Sequence, residues 1–196
     1  MVGASKGQHI TRYYFYRYIS ENFGTSRLPD LKVLSISHSE KLATTLGFSN
    51  DQIFDAAYPE FNVLDLPFED CQFDVVVSDQ VLEHVEGNPQ DAIDEMFRVL
   101  KSNGLSLHAT CFINPIHGAP KDFWRFTPDA LKLLVSDHAD VVDVGGWGNI
   151  FVWLFFGLGL RYEPIPNWRW HPAHWLAIYN QPRLPVTTWV LATKKG

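Results

Sequence analysis

Between Phe73 and Phe112 the polarity of the chain changes in a regular way. An apolar, β-branched run, Val75 to Val77, gives way to Ser78-Asp79-Gln80. Such a run predicts a buried parallel strand whose carboxyl end opens into a polar loop. Asn88-Pro89 then supplies a helix cap and a first-turn proline, and Ile93, Met96, Phe97 and Leu100 recur at i, i+3, i+4, i+7, predicting a helix with one buried face. Lys101 suits the C-terminal dipole, Asn103-Gly104 is expected to end the helix, and Leu105 to Phe112 to return as a second strand. Together these make a βαβ unit, almost always right-handed. In open α/β sheets ligands bind at the carboxyl ends of such strands.

The same reasoning extends along the chain. Ile10 to Phe23 predicts a helix that is aromatic on several sides, with Phe15, Tyr18, Ile19 and Phe23 near one face, so it needs cover beyond a single core contact. It is expected to pack across the sheet or to act as a lid, with Arg12 and Arg17 available to an anionic group. Lys32 to Ser37 predicts a strand, Ser39 to Leu46 a short helix stopped by Gly47, and Ile53 to Asp55 another strand. Ala56 to Phe61 is all that separates that strand from the next. Thr127-Pro128 caps a helix containing Leu131, Leu133 and Leu134, Ala139 to Val144 predicts a sixth strand, and Gly145-Gly146-Trp147-Gly148 a turn. Pro185 to Lys194 predicts the last strand.

Ile150 to Leu160 is the most apolar run. It is too short to span a bilayer as a helix, which needs about 20 residues. Burial, a homodimer contact through 150–160, or shallow interfacial insertion stay open, the first two favoured. His171 and His174, in the Trp-rich segment Trp168 to Trp175, have no further ligands nearby in sequence, so no metal site is expected.

A chain of 196 residues suits one domain with a substantial core. The division expected is a single domain, 1–196, with an N-terminal aromatic helix or lid in 1–30 and an apolar Trp-rich insertion in 145–185. Hydrophobic residues make up 46% and charged residues 19%, as in folded globular proteins. A formal charge of -6 without clustered Lys and Arg argues against a nucleic-acid binder. Two cysteines, Cys71 and Cys111, lack metal-ligand spacing and fit reduced thiols in a cytoplasmic protein. Lys6, His9, Arg12 and Arg17 interrupt any signal-peptide core, so secretion is not expected.

FDVVVSDQVLEHV, followed by a helix ending RVLKSNG and a strand, resembles the second half of a class I S-adenosylmethionine (SAM)-dependent methyltransferase domain. Asn62-Val63-Leu64-Asp65-Leu66-Pro67-Phe68 resembles that family's acidic segment. His117-Gly118-Ala119-Pro120-Lys121-Asp122-Phe123-Trp124-Arg125-Phe126-Thr127-Pro128 resembles a segment of bacterial members associated with saccharide modification. The resemblance implies an α/β, Rossmann-like fold: a seven-stranded, mostly parallel sheet with helices on both faces. It implies SAM as cofactor and a small-molecule or saccharide acceptor, methylated by in-line transfer.

Residue by residue, the resemblance places Ser35, Ser37, His38 and Ser39 where the family has a glycine-rich loop against the methionine part of SAM. No glycine remains there. A left-handed residue in that loop costs about 1–2 kcal/mol, which is small beside the roughly 8 kcal/mol of a micromolar ligand. Asp55 is implied as the ribose acid, with Asp51 a competitor in register. Asn62, Val63 and Leu64 would meet the adenine, and Asp79 and Gln80 the sulfonium. His84 is the proposed base, with Asp79 beside it, because an imidazole suits removal of an acceptor proton. A packing or loop-fixing role for His84 remains open. His117, Asp122, Trp124 and Arg125 are implied on the acceptor side. The alternative is a non-catalytic protein that keeps the fold as a binding or scaffolding partner. A Rossmann-type oxidoreductase is disfavoured because no G-x-G-x-x-G follows the first strand.

Overall fold

The sheet is built outward from β4 (Phe73–Asp79), with β2 (Val33–Ile36) parallel on one side and β5 (Leu100–Cys111) parallel on the other. The computed structural model describes residues 6–24, 30–118 and 120–196; stretches 1–5 and 25–29 of the N-terminal segment, and Ala119 of the loop motif, lie outside the described residues. β3 (Ile53–Ala56) adds in parallel to β2. At the other end β8 (Thr187–Lys194) lies antiparallel between β5 and β6 (Ala139–Trp147). The order is β3-β2-β4-β5-β8-β6.

The main sheet therefore has six strands, not the seven expected, and is only partly parallel, since β8 opposes both its neighbours. The strand lost is the one expected to begin at Asn62. There Asn62 and Asp65 form an isolated bridge. A parallel neighbour needs a crossover of about a dozen residues or more, and the few residues after Ala56 are too short for one. The chain instead loops back along the carboxyl edge of the sheet.

Alternation along the strands divides the core. Val75, Val77, Leu107, Trp189 and Leu191 face α1 (Ile10–Phe23) and α2 (Glu40–Thr45). Leu34, Ile36, Val76, Val190 and Ala192 face α3 (Pro89–Val99) and α4 (Pro128–Val135). Both α3 and α4 start as the sequence predicts. Asn88 Oδ1 accepts from Gln90 N–H and Thr127 Oγ1 from Ala130 N–H, each before a first-turn proline. β5 begins at Leu100, directly after α3, instead of at Leu105. The bend falls inside the strand, where Asn103 is left-handed (φ 61°) and a Cβ on Gly104 would lie 2.6 Å from Leu100 Cδ1.

Two expectations for the region after Val144 are corrected. Gly145 and Gly146 belong to β6 instead of a turn, because Trp189 on β8 packs across Gly145: a Cβ there would stand 2.6 Å from the indole. The apolar run is not a buried segment. It contains α5 (Val152–Gly157), where Val152 is buried while Ile150, Phe151, Leu154 and Leu158 are exposed.

α1 occupies the predicted residues and receives its extra cover from this same region. A small second sheet pairs β1 (Lys6–His9) antiparallel with β7 (Pro164–Pro166), and α6 (Pro172–Ile178) brings His174 Nδ1 to 2.7 Å from the Tyr13 hydroxyl. Tyr14 stacks on the fully buried Trp147. Of the two arginines of α1, Arg12 is taken up by a buried pair with Asp79, while Arg17 makes only an exposed pair with Glu21. No described helix is long and apolar enough to cross a membrane.

Candidate functional site

A cavity of about 480 Å³ opens over the carboxyl ends of β2 and β4. Ser37 and His38, just past β2, line one part of it. Tyr58, Phe61 and Asn62 to Leu64 form a second wall. Gln80, Val81, His84, Val85 and Glu86, after β4, form the third, with Pro120 and Phe123 from the loop after β5 at its edge. Its size lies within the range of about 300–1,000 Å³ typical of small-molecule sites.

Both Ser37 (φ 50°) and His38 (φ 67°) adopt the left-handed conformation that a glycine would take without strain. What holds them there is Asp55, at the end of β3. Its carboxylate accepts from the Ser35 hydroxyl at 2.6 Å and from the His38 backbone N–H at 3.0 and 3.2 Å, and the His38 ring approaches at 3.3 Å. The imidazole itself is mostly in solvent, with 75% of its side chain exposed, so it does not plug the cavity. Replacing Ser37 or His38 by glycine should therefore raise unfolding free energy by about 0.5–1 kcal/mol, the relief of strain less the extra freedom of the unfolded chain. A urea midpoint that falls in both variants would contradict this account of the loop.

The residues singled out from sequence separate into two groups. Ser37, His38, Asn62, Val63, Leu64, Gln80 and His84 share the cavity. Asn62 Oδ1 accepts from Leu64 N–H, which fixes the turn they form. Ser35, Ser39, Asp55 and Asp79 stand behind its wall. Ser35 and Ser39 are buried, Ser39 accepting from Asp79 N–H and donating to Ile36 O. Asp79 Oδ2 accepts from Arg12 Nε and the Tyr16 hydroxyl, each at 2.7 Å, while Oδ1 is buried without a partner. Burial and the Asp79 carboxylate push the Tyr16 phenol well above its ordinary pKa. Burial opposes the Arg12 charge, but Asp79 outweighs it and the arginine pKa is raised.

In the loop after β5, His117, Asp122 and Arg125 form one unit that lies outside the lining of the cavity. The Arg125 guanidinium binds both Asp122 oxygens, and Asp122 accepts from the His117 backbone N–H at 2.8 Å. The arginine holds the Asp122 carboxyl well below the carboxylate range. Trp124 does not line the cavity; its indole N–H donates to Val85 O at 3.0 Å and ties this loop to the segment after β4. Phe123 occupies the cavity edge in its place.

Sequence reasoning missed Tyr58, Phe61, Val81, Val85, Glu86, Pro120 and Phe123 as lining residues, and it gave Glu83 no role. Glu83 is fully buried next to His84, and its Oε2 accepts from the Thr110 hydroxyl at 2.7 Å while Oε1 has no partner. Burial raises its pKa, against the Thr110 bond and the nearby charges. A charged side chain inside a largely apolar motif, LEHV, was the available signal.

The sheet order, with its closing antiparallel strand, and the cavity at the carboxyl ends of the first strands define a methyltransferase-fold protein. A family profile described as "Methyltransferase domain" matches residues 17–107. No curated protein matches the chain. Among solved structures, a SAM-dependent methyltransferase from Thermotoga maritima aligns with 14% identity and a TM-score of 0.55, covering 95% of this chain and 92% of that one. The YcgJ protein from Bacillus subtilis aligns at 12% identity and 0.53, covering 92% and 97%. The [4+2]-cyclase SpnF aligns at 14% identity and 0.53, covering 92% and 80%. At these identities the likeness concerns the fold alone.

Proposed function

We propose that the protein is a SAM-dependent methyltransferase acting on a small-molecule or saccharide acceptor. The observation that carries this is the cavity itself. It lies where the fold binds ligands, and its loop Ser37-His38 holds a left-handed backbone that a glycine takes without strain, at the place where the resemblance implies glycines. The fit to the cofactor is good at two places. Asn62 to Leu64 can receive an adenine ring, and Gln80 Nε2, a buried donor without a partner, can bond to the amino-acid end. Asp55 fits less well, since its oxygens already serve Ser35 and His38.

Bound SAM would supply an electrophilic methyl group on a sulfonium. The chain's own residues bind, align and deprotonate the acceptor, and in-line displacement rewards such alignment. Tyr58 and Phe123, exposed at the cavity, offer aromatic faces of the kind that suits a sugar ring, and Glu86 offers a carboxylate for its hydroxyls. His84 lines the cavity with Nδ1 against the Lys121 carbonyl, which leaves the lone pair of Nε2 to accept a proton.

Calorimetric titration with S-adenosylhomocysteine, the demethylated product, tests the reading. The expected result is micromolar binding, weakened about tenfold in Asn62→Ala through loss of roughly one hydrogen bond. Absence of binding at millimolar ligand overturns the proposal.

A further inference from the structure

Beside the cavity, one ligand-capable atom from each of Glu83, His84 and His117 lies within 4.8 Å of the others. We propose that these three side chains hold a divalent first-row transition-metal ion of the zinc or iron(II) class. The inference goes beyond the methyltransferase reading and stands without it.

Four observations carry it. First, Glu83 Oε1 is a buried carboxylate oxygen with no hydrogen-bond partner, on a side chain with 0% exposure. A buried carboxylate oxygen left without a partner is costly, and a cation can satisfy it. Second, His117 Nε2 stands 3.9 Å from that oxygen, too far for a hydrogen bond. Ligands at about 2.0–2.1 Å from a tetrahedral zinc lie roughly 3.4 Å apart, so a closure of about half an ångström brings the two into range.

Third, the opposite nitrogen of each imidazole meets an acceptor. His84 Nδ1 faces the Lys121 carbonyl. His117 Nδ1 meets the Pro115 carbonyl at 3.3 Å, and the Asp122 carboxylate 3.2 Å away favours a proton on that atom against the Asn114 amide at 3.2 Å. Both rings are thereby set to present Nε2 as a lone pair, the outer-shell arrangement usual for metal-binding histidines. Fourth, Arg125 clamps Asp122 from behind, which fixes the His117 ring further.

Two imidazoles and one carboxylate match the preferences of zinc or iron(II), not of magnesium or calcium, which favour all-oxygen sets. Three protein ligands leave room for water or an acceptor oxygen, and His84 sets the ion at the cavity wall. In the loaded protein His84 Nε2 is taken by the ion, and an ion-bound water or acceptor hydroxyl gives up its proton more readily in its place. A second group, His38, Glu40 and Asp55, is as compact, but Asp55 is committed to Ser35 and the His38 backbone, and His38 lies in solvent.

The test is calorimetric titration of the chelator-stripped chain with Zn²⁺, without cofactor. One equivalent should bind at micromolar or tighter affinity, with at least 100-fold weakening in His117→Ala and Glu83→Gln and about 10–100-fold in Asp122→Asn. His171→Ala should bind as the unaltered chain does, and Mg²⁺ should give no binding. Glu83→Gln keeps the Thr110 bond and decides the matter if His117→Ala fails to fold. No stoichiometric Zn²⁺ binding, or affinity unchanged in Glu83→Gln, overturns the proposal. Binding of S-adenosylhomocysteine to the metal-free chain is scored separately, so the two readings can fail independently.

Discussion

Replacing Arg12 with methionine is expected to lower the free energy of unfolding by about 3–5 kcal/mol, the usual cost of leaving one member of a buried ion pair alone. Arg12 and Asp79 show 15% and 7% side-chain exposure, so water cannot take over the missing partner. The Tyr16 hydroxyl would remain on Asp79 Oδ2, but a single neutral donor does not balance a carboxylate whose other oxygen is already unpartnered. Adding Asp79→Asn to Arg12→Met should recover part of the loss, because the stranded charge is then gone. Guanidinium denaturation at constant m-value is the measurement, and a loss under about 1 kcal/mol in the single variant would refute the argument. The pair also pins α1 to the end of β4, beside the cavity, so the variant should bind ligand less tightly.

Stability should also fall by about 3 kcal/mol as pH is lowered from 6.5 to about 4, owing to His108 alone. This side chain is fully buried in β5 and its pKa is lowered to about 4 by burial. Ser78 Oγ lies 2.9 Å from Nδ1, while Nε2 has no partner. Above pH 6.5 the imidazole is neutral in both states and its contribution is intact. Between 6.5 and 4 the unfolded chain takes up the proton and the folded one does not, so the balance shifts toward unfolding. Below about 4 both are protonated and the decline stops. His108→Leu should lessen this slope without abolishing it, because burial also lowers the His9 pKa to about 4, as followed by urea midpoints at successive pH values. An unchanged slope would show that the proton is bound elsewhere.

Periodicity located much of this fold because local patterns and tertiary burial agree there. The limits of α1 and the starts of α3 and α4 follow from aromatic spacing, Asn88-Pro89 and Thr127-Pro128. Where the sequence misled, a distant contact decided the outcome. Gly145-Gly146 has the composition of a turn, but Trp189, far along the chain, needs the missing Cβ to lie across β6. The strand expected at Asn62 fails on connection length, which the short Ala56 to Phe61 stretch already displayed. The site shows the same division. The loop after β2 and the segment after β4 were legible as cavity walls, because strand ends mark ligand sites in this architecture. The approach of His117 to Glu83 was not legible, since it joins two loops whose spacing carries no metal-ligand signature.

The position of β8 has a consequence for how the chain is made. Thr187–Lys194 is made after both β5 and β6, yet among the described strands it is what joins them. Until it emerges, β5 presents a long row of unpaired amides and carbonyls, and β6 has no neighbour to join. Nascent chains stalled before Thr187 thus carry an open, adhesive border of the kind that chaperones shield.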